Sequence, residues 1–175
     1  VTDERGLFER LCLEAFQSGL SWTTILRKRE GFRRAFADFE PDAVARFRQV
    51  DVERLLGDAS IIRNHAKIDA AIANARATVT LRGTGVTLPD LVWSFRPAPT
   101  PAPATLADVP ATTTESAALA KELKQRGFRF VGPTTVHALM EACGVVNDHV
   151  EACFVRDEVA AEQELAAKRT RRSAA

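Results

Sequence analysis

A carboxylate and an indole stand close together near the start of the chain, Glu14 and Trp22 in the string Leu13-Glu14-Ala15-Phe16-Gln17-Ser18-Gly19-Leu20-Ser21-Trp22. Apolar neighbours flank Glu14 on a helical stretch, and Trp22 follows the break at Gly19. A carboxylate beside an indole face makes a pocket for a flat, electron-poor ring. The charge draws a cation or amino protons, and the indole stacks on the ring. The same pattern also fits a solvated glutamate and an ordinary core tryptophan, because tryptophan is most often a packing residue.

Three further groups could do chemistry. Asp58-Ala59-Ser60-Ile61-Ile62-Arg63-Asn64, framed by Leu55-Leu56 before and Lys67-Ile68 after, reads as a tight connection between two helices. Such a turn can point backbone N–H groups at a phosphate, which grips nucleic acid without reading its sequence. Helix-hairpin-helix turns usually carry glycines where Ser60 and Ile62 stand, so a plain αα-hairpin fits as well. Basic residues cluster at Arg27-Lys28-Arg29 with Arg33-Arg34, and again at Lys121, Lys124, Arg126 and Arg129. These are either an electrostatic footprint for phosphates or solvated helix faces. His149 and Cys153 have the i, i+4 spacing that would set both on one helix face and within reach of one metal. Zinc would want two more ligands, and none of Cys12, Cys143, His65 and His137 has paired metal spacing, so core cysteine with surface histidine is the other reading. There is no Walker-type loop, no G-x-S-x-G and no H-E-x-x-H.

The elements that must carry these residues read as helices. Leu7, Phe8, Leu11, Cys12, Ala15 and Phe16 repeat with helical spacing behind Asp3 as N-cap, and Gly19 ends the helix. Helices are predicted at about 23–36, in a short piece opened by Pro41, at 52–56 behind Asp51, at 65–81, at 114–126 and from Gly132-Pro133 to about Cys143, and 88–95 reads as a short helix or turn carrying Trp93. A last helix is predicted from Asn147 or Asp148. Four alternating prolines (Pro97, Pro99, Pro101, Pro103) make 96–104 an extended connector. Phe128-Arg129-Phe130-Val131 is the best candidate strand and too short to found a sheet. The expectation is an all-α protein of eight or so helices in two closely packed lobes. Residues 1–166 form the single domain, and 167–175 form a basic, disordered tail.

The 175 residues are 46% hydrophobic and 27% charged, with a net charge of +1, which excludes a disordered chain and a strongly basic one. No apolar run reaches the ~20 residues of a membrane span. Three cysteines and no signal peptide point to a reducing, cytoplasmic compartment. The chain has no tyrosine and starts at Val1 almost directly in a helical pattern, as expected of a chain without its natural beginning.

Taken together, the strings resemble the DNA-3-methyladenine glycosylase I family of bacterial alkylation-repair enzymes. The resemblance rests on Cys12-Leu13-Glu14, Ser18-Gly19-Leu20-Ser21-Trp22, Leu26-Arg27-Lys28-Arg29-Glu30, Asp51-Val52-Glu53-Arg54-Leu55 and Ile61-Ile62-Arg63. It continues through Lys67-Ile68, Asn74-Ala75-Arg76-Ala77, Trp93-Ser94-Phe95, Arg126-Gly127-Phe128-Arg129-Phe130-Val131-Gly132 and Ala142-Cys143-Gly144-Val145-Val146-Asn147-Asp148-His149. It implies a helix-hairpin-helix glycosylase fold that flips a damaged nucleotide out of double-stranded DNA and hydrolyses its N-glycosidic bond. Glu14 then matches the carboxylate that recognises 3-methyladenine, with the catalytic role, and Trp22 matches the ring that stacks on the base. Gly19 and Leu20 fall on the segment that enters the gap in the duplex. Ser60, Ile61, Ile62, Arg63 and Asn64, with Lys67 behind them, fall on the hairpin that grips the DNA backbone. His149 and Cys153 match two of four ligands of a structural zinc; the other two, a Cys and a His, belong to a family segment that would precede Val1. The resemblance further implies a monomeric, monofunctional hydrolase without lyase activity, and no membrane or obligate protein partner. Without that preceding segment, the alternative is a non-catalytic module that binds DNA backbone. A helical protein-interaction domain is a third reading.

Overall fold

A computed structural model of the chain describes residues 1–173, and of 169–173 the backbone alone. Nine α-helices follow one another among these residues, with no strand: α1 Glu4–Gln17, α2 Trp22–Ala35, α3 Pro41–Ala45, α4 Gln49–Gly57, α5 His65–Gly83, α6 Leu88–Ser94, α7 Thr114–Gln125, α8 Pro133–Ala142 and α9 Arg156–Ser173. Short 3₁₀ turns occupy Ala37–Phe39 and Leu106–Asp108. The residues of 96–104 lie in neither helix nor strand.

Capping chemistry explains most boundaries. The Asp3 side chain accepts the Gly6 N–H at 2.7 Å, Ser21 caps α2 through the Thr24 N–H, and Asn64 caps α5 through the Lys67 N–H at 3.1 Å. Pro41 and Pro133 open α3 and α8 in the first turn, where a missing N–H costs nothing. The α1–α2 break needs Gly19 itself, whose φ of +79° is left-handed.

α1 is the centre of the molecule. Its residues Leu11, Cys12, Leu13, Glu14, Ala15 and Phe16 are buried in succession, so every side of the helix is covered, by α2, α5, α6 and α8. Beside it the Phe16 ring meets Phe32 at 4.5 Å and Phe36 at 5.7 Å, and Phe36 stacks on Phe39 at 5.8 Å. One buried hydrophobic cluster runs from Leu7 through Ile68 and Leu123 to Val146, so both sides of the 96–104 connector share a core.

Four local readings differ from the sequence expectation. Asp51 is not the N-cap of α4: the helix starts at Gln49, and Asp51 is its third residue, its carboxylate accepting the Arg48 N–H at 3.0 Å. No helix starts at Asn147 or Asp148. The Asn147 side chain donates to the Arg156 carbonyl at 3.0 Å, and Arg156 Nη1 donates to the carbonyls of Asn147 and His149. These side-chain bonds take the carbonyls that a helix would use and delay α9 to Arg156. His149 and Cys153 consequently lie in a turn-rich loop rather than on a helix. The strand candidate 128–131 is irregular, because Phe130 adopts a left-handed φ of +55°. α9 continues through 167–173, where the sequence suggested a disordered tail; 174–175 lie outside the described residues.

The connection 58–64 is held against α2. Lys28 Nζ donates to the Ala59 carbonyl at 2.7 Å, and a Cβ built on Gly31 would stand 2.5 Å from the Ser60 carbonyl oxygen. Gly31→Ala is therefore expected to force backbone apart and cost about 1–3 kcal/mol. That should lower the thermal midpoint by roughly 3–10 °C. A calorimetric scan of the variant matching the parent would show that the two segments do not touch as described.

Candidate active site

Two glutamates on α1 meet opposite fates. Burial alone would push the Glu9 carboxyl up, but hydrogen bonds from Arg29 at 2.8 Å and Arg33 at 2.9 Å outweigh it and hold the group below its ordinary value. Glu14, 6% exposed, has no such help. Burial raises its carboxyl to about 7, and the nearby Glu141 charge pushes in the same direction. α8, which carries Glu141, lies along α1, with Arg10 Nε donating to the Ala142 carbonyl at 3.2 Å. A carboxyl poised near neutrality and lacking a basic partner is suited to receive a cation.

The end of α1 is pinned from the side. Lys67 Nζ donates to the carbonyls of Phe16 at 2.9 Å and Ser18 at 2.6 Å, and its burial lowers its pKa. The ammonium satisfies carbonyls that the helix leaves open and sits at the negative end of its dipole. Lys67 thus points inward. Past this anchor, Gly19, Leu20 and Trp22 are exposed together, with Gln17 Nε2 holding the Leu20 carbonyl at 2.8 Å. Trp22 begins α2 and is 38% exposed, so it is no core residue. Trp93 takes that part, buried with its indole N–H on the Val1 carbonyl at 2.8 Å.

In the 58–64 connection Ile61 is buried, Ser60 and Ile62 are half-buried, and Arg63 and Asn64 are exposed. The Asp58 carboxylate accepts the Ser60 N–H at 2.8 Å, so that amide is already used. A second hairpin, absent from the sequence-based site, joins the closely packed α7 and α8. Gly127 and Phe130 both have positive φ, and the buried Asn74 clamps Arg129 by donating to its carbonyl at 3.1 Å and accepting its N–H at 2.7 Å. Lys121, Lys124, Arg126, Arg129 and Phe130 are exposed around it, and Gly132 caps α8 without a side chain. The basic cluster and the Gly132-Pro133 helix start were the legible signs of this hairpin; the turn geometry was not. Of the other basic cluster, Arg29 and Arg33 are spent on Glu9 and Lys28 on Ala59, which leaves Arg27 and Arg34 exposed.

Cys153 Sγ lies 3.4 Å from His149 Nδ1. Both line a cavity of about 520 Å³ that also borders Val1, Arg10, Glu141 and Asp148.

The methyladenine glycosylase family model matches residues 1–156. The chain belongs to this family. It is similar to DNA-3-methyladenine glycosylase 1 of Escherichia coli (strain K12), 50% identical over 155 residues that cover 87% of this chain and 82% of that protein. Its structure is similar to a crystal structure of 3-methyladenine DNA glycosylase I, with a TM-score of 0.85 at 48% identity, covering 88% of this chain and 86% of the other. A variant of 3-methyladenine DNA glycosylase I in complex with 3-methyladenine matches with a TM-score of 0.84 at 32% identity, covering 89% and 85%. The expected all-α glycosylase fold is therefore the observed one.

In this methyladenine glycosylase, Glu14 leaves a signature in stability. Its carboxyl is raised in the folded state, so the stability it contributes is complete below its ordinary value of 4.5 and is lost as pH climbs through about 7. Glu14→Gln removes that loss. In urea unfolding the variant is expected to gain on the parent by on the order of 2 kcal/mol between pH 5 and pH 8. An unchanged difference across that range would show that Glu14 is solvated.

Proposed function

We propose that the chain is a DNA repair glycosylase that flips 3-methyladenine out of alkylated double-stranded DNA and hydrolyses its N-glycosidic bond. The buried, unneutralised Glu14 carries this reading, with the exposed Gly19-Leu20-Trp22 segment following at the end of the same helix and family membership behind it. 3-Methyladenine in DNA is a cation with a weakened glycosidic bond. A buried carboxyl without a basic partner gains a counter-ion when that base enters, while neutral adenine offers none. The departing base becomes neutral, so no strong general acid is required, and water is the nucleophile. Trp22 supplies a stacking face, and Leu20 on the Gly19 turn is placed to fill the space that the base vacates.

Backbone grip is assigned to both hairpins. The exposed parts of the first are Arg63 and Asn64, next to the backbone of Ser60, Ile61 and Ile62; Lys67 contributes by fixing the end of α1 rather than by reaching a phosphate. The α7–α8 hairpin adds open amides at the start of α8 and the basic side chains of Lys121, Lys124 and Arg129, while Arg126 is held by Glu122 at 2.7 Å. His149 and Cys153 fit one edge of a tetrahedral zinc site, since donors 3.4 Å apart can share one ion at about 2.0–2.3 Å from each. Zinc bound there, completed by two further ligands, would staple the 147–155 loop and act structurally. No helix among the described residues is long and apolar enough to cross a membrane, and a cytoplasmic, monomeric enzyme fits this reading.

The decisive assay is release of free base from methylated duplex DNA. The parent is expected to release 3-methyladenine without strand cleavage, with a rate that rises as pH passes through about 7 and Glu14 ionises. Glu14→Gln should cut release by about 100-fold or more and abolish the pH limb. Equal release by parent and variant would leave a DNA-binding module, and strand cleavage coupled to release would exclude the monofunctional hydrolase. For the hairpins, Arg63→Ala and Arg129→Ala should each weaken binding to all duplexes alike and lower the salt slope by about 1. A variant whose slope equals the parent's removes its hairpin from the interface.

A further inference from the structure

His137, Glu141 and Asp148 each bring one ligand atom to within 4.8 Å of the others. His137 and Glu141 stand one turn apart on α8, and Asp148 returns from the loop that follows it. The His137 ring is 2% exposed, yet neither ring nitrogen has a hydrogen-bond partner. Nε2 lies 3.0 Å from Asp148 Oδ2, a contact that lacks hydrogen-bond direction, and that carboxylate oxygen is buried and unpartnered too. Buried polar atoms left unpaired cost about 1–3 kcal/mol each, and native interiors seldom keep several in one place. Arg10, the cation bordering the same cavity, directs Nε to the Ala142 carbonyl and Nη1 to the Gly6 carbonyl.

We propose that His137, Glu141 and Asp148 form a binding site for a divalent cation of the zinc class, open on the side of the 520 Å³ cavity. One imidazole and two carboxylates suit borderline ions such as Zn²⁺ and Co²⁺. Donors bound at about 2.0–2.2 Å stand roughly 3–4.3 Å apart, and His137 Nε2 and Asp148 Oδ2 already stand at 3.0 Å. Three protein ligands leave a position for water or an anionic ligand, as open zinc sites do. The site shares no residue with the His149–Cys153 pair, and Co²⁺ uptake is read without base excision, although a cation on Glu141 would also offset the push of that carboxylate on Glu14.

Co²⁺ is the probe, titrated into the metal-free chain and followed by absorption. The His149→Ala/Cys153→Ser double variant removes the neighbouring pair and every thiolate contribution from it. That protein is expected to bind one equivalent of Co²⁺ with nitrogen–oxygen ligand-field bands and no thiolate charge-transfer band. Adding His137→Ala should weaken binding by about 100-fold. Asp148→Asn, which keeps the side-chain shape, should weaken it too, and far-UV circular dichroism checks that each protein is folded. The proposal is overturned if the double variant takes up no Co²⁺, or if His137→Ala and Asp148→Asn both bind it as the double variant does.

Discussion

A helix whose neighbours cover it on every side is the constraint from which the rest of this structure follows. Successive helical residues turn by about 100°, so six buried residues in a row, Leu11 to Phe16, leave no direction open to solvent. α2, α5, α6 and α8 have to stand around α1, and their lengths and connections are arranged to allow it. Two acidic residues are caught in this wall of contacts. Glu9 is met by two arginines from α2 and becomes part of the scaffold; Glu14, one and a half turns on, is met by another carboxylate. Identical side chains on one helix thus acquire opposite protonation tendencies from what faces them.

The unneutralised carboxylate is costly in the empty protein, and on the proposed function that cost is relieved when a cationic base arrives. On that reading stability is coupled to selectivity: the same missing counter-charge that penalises the ionised form would make a positively charged ring a better guest than a neutral one. Precision comes from Lys67, whose ammonium ties α5 to the last carbonyls of α1. The Gly19 turn and Trp22 then project from a fixed point rather than from a loose end. The scaffold uses buried charge for positioning at Lys67 and Glu9, whereas Glu14 is left without a counter-charge.

Local rules accounted for the elements wherever local interactions set their ends. Asp3, Pro41 and the Gly132-Pro133 pair each start a helix as their backbone chemistry demands. Reading failed where distant or reciprocal bonds decide. Arg156 reaches back to the carbonyls of Asn147 and His149 and postpones α9, and Asn74, far away in sequence, fixes the turn at Arg129 and Phe130. The Asp51 carboxylate reaches back to the Arg48 N–H, and α4 starts at Gln49. The same limit applied to the site. Lys67, which the resemblance placed with the hairpin that grips DNA, is a buried anchor of the end of α1.

The sequence by itself determined the class of fold and the family, because periodicity, caps and colinear strings are written in neighbouring residues. Only the tertiary structure decided which charges are neutralised. Arg29 and Arg33 reach Glu9, Glu141 approaches Glu14, and Asp148 approaches His137 across separations of eleven to more than a hundred residues. Electrostatic energy depends on distance and on exclusion of water, and neither exists until the helices have closed around α1.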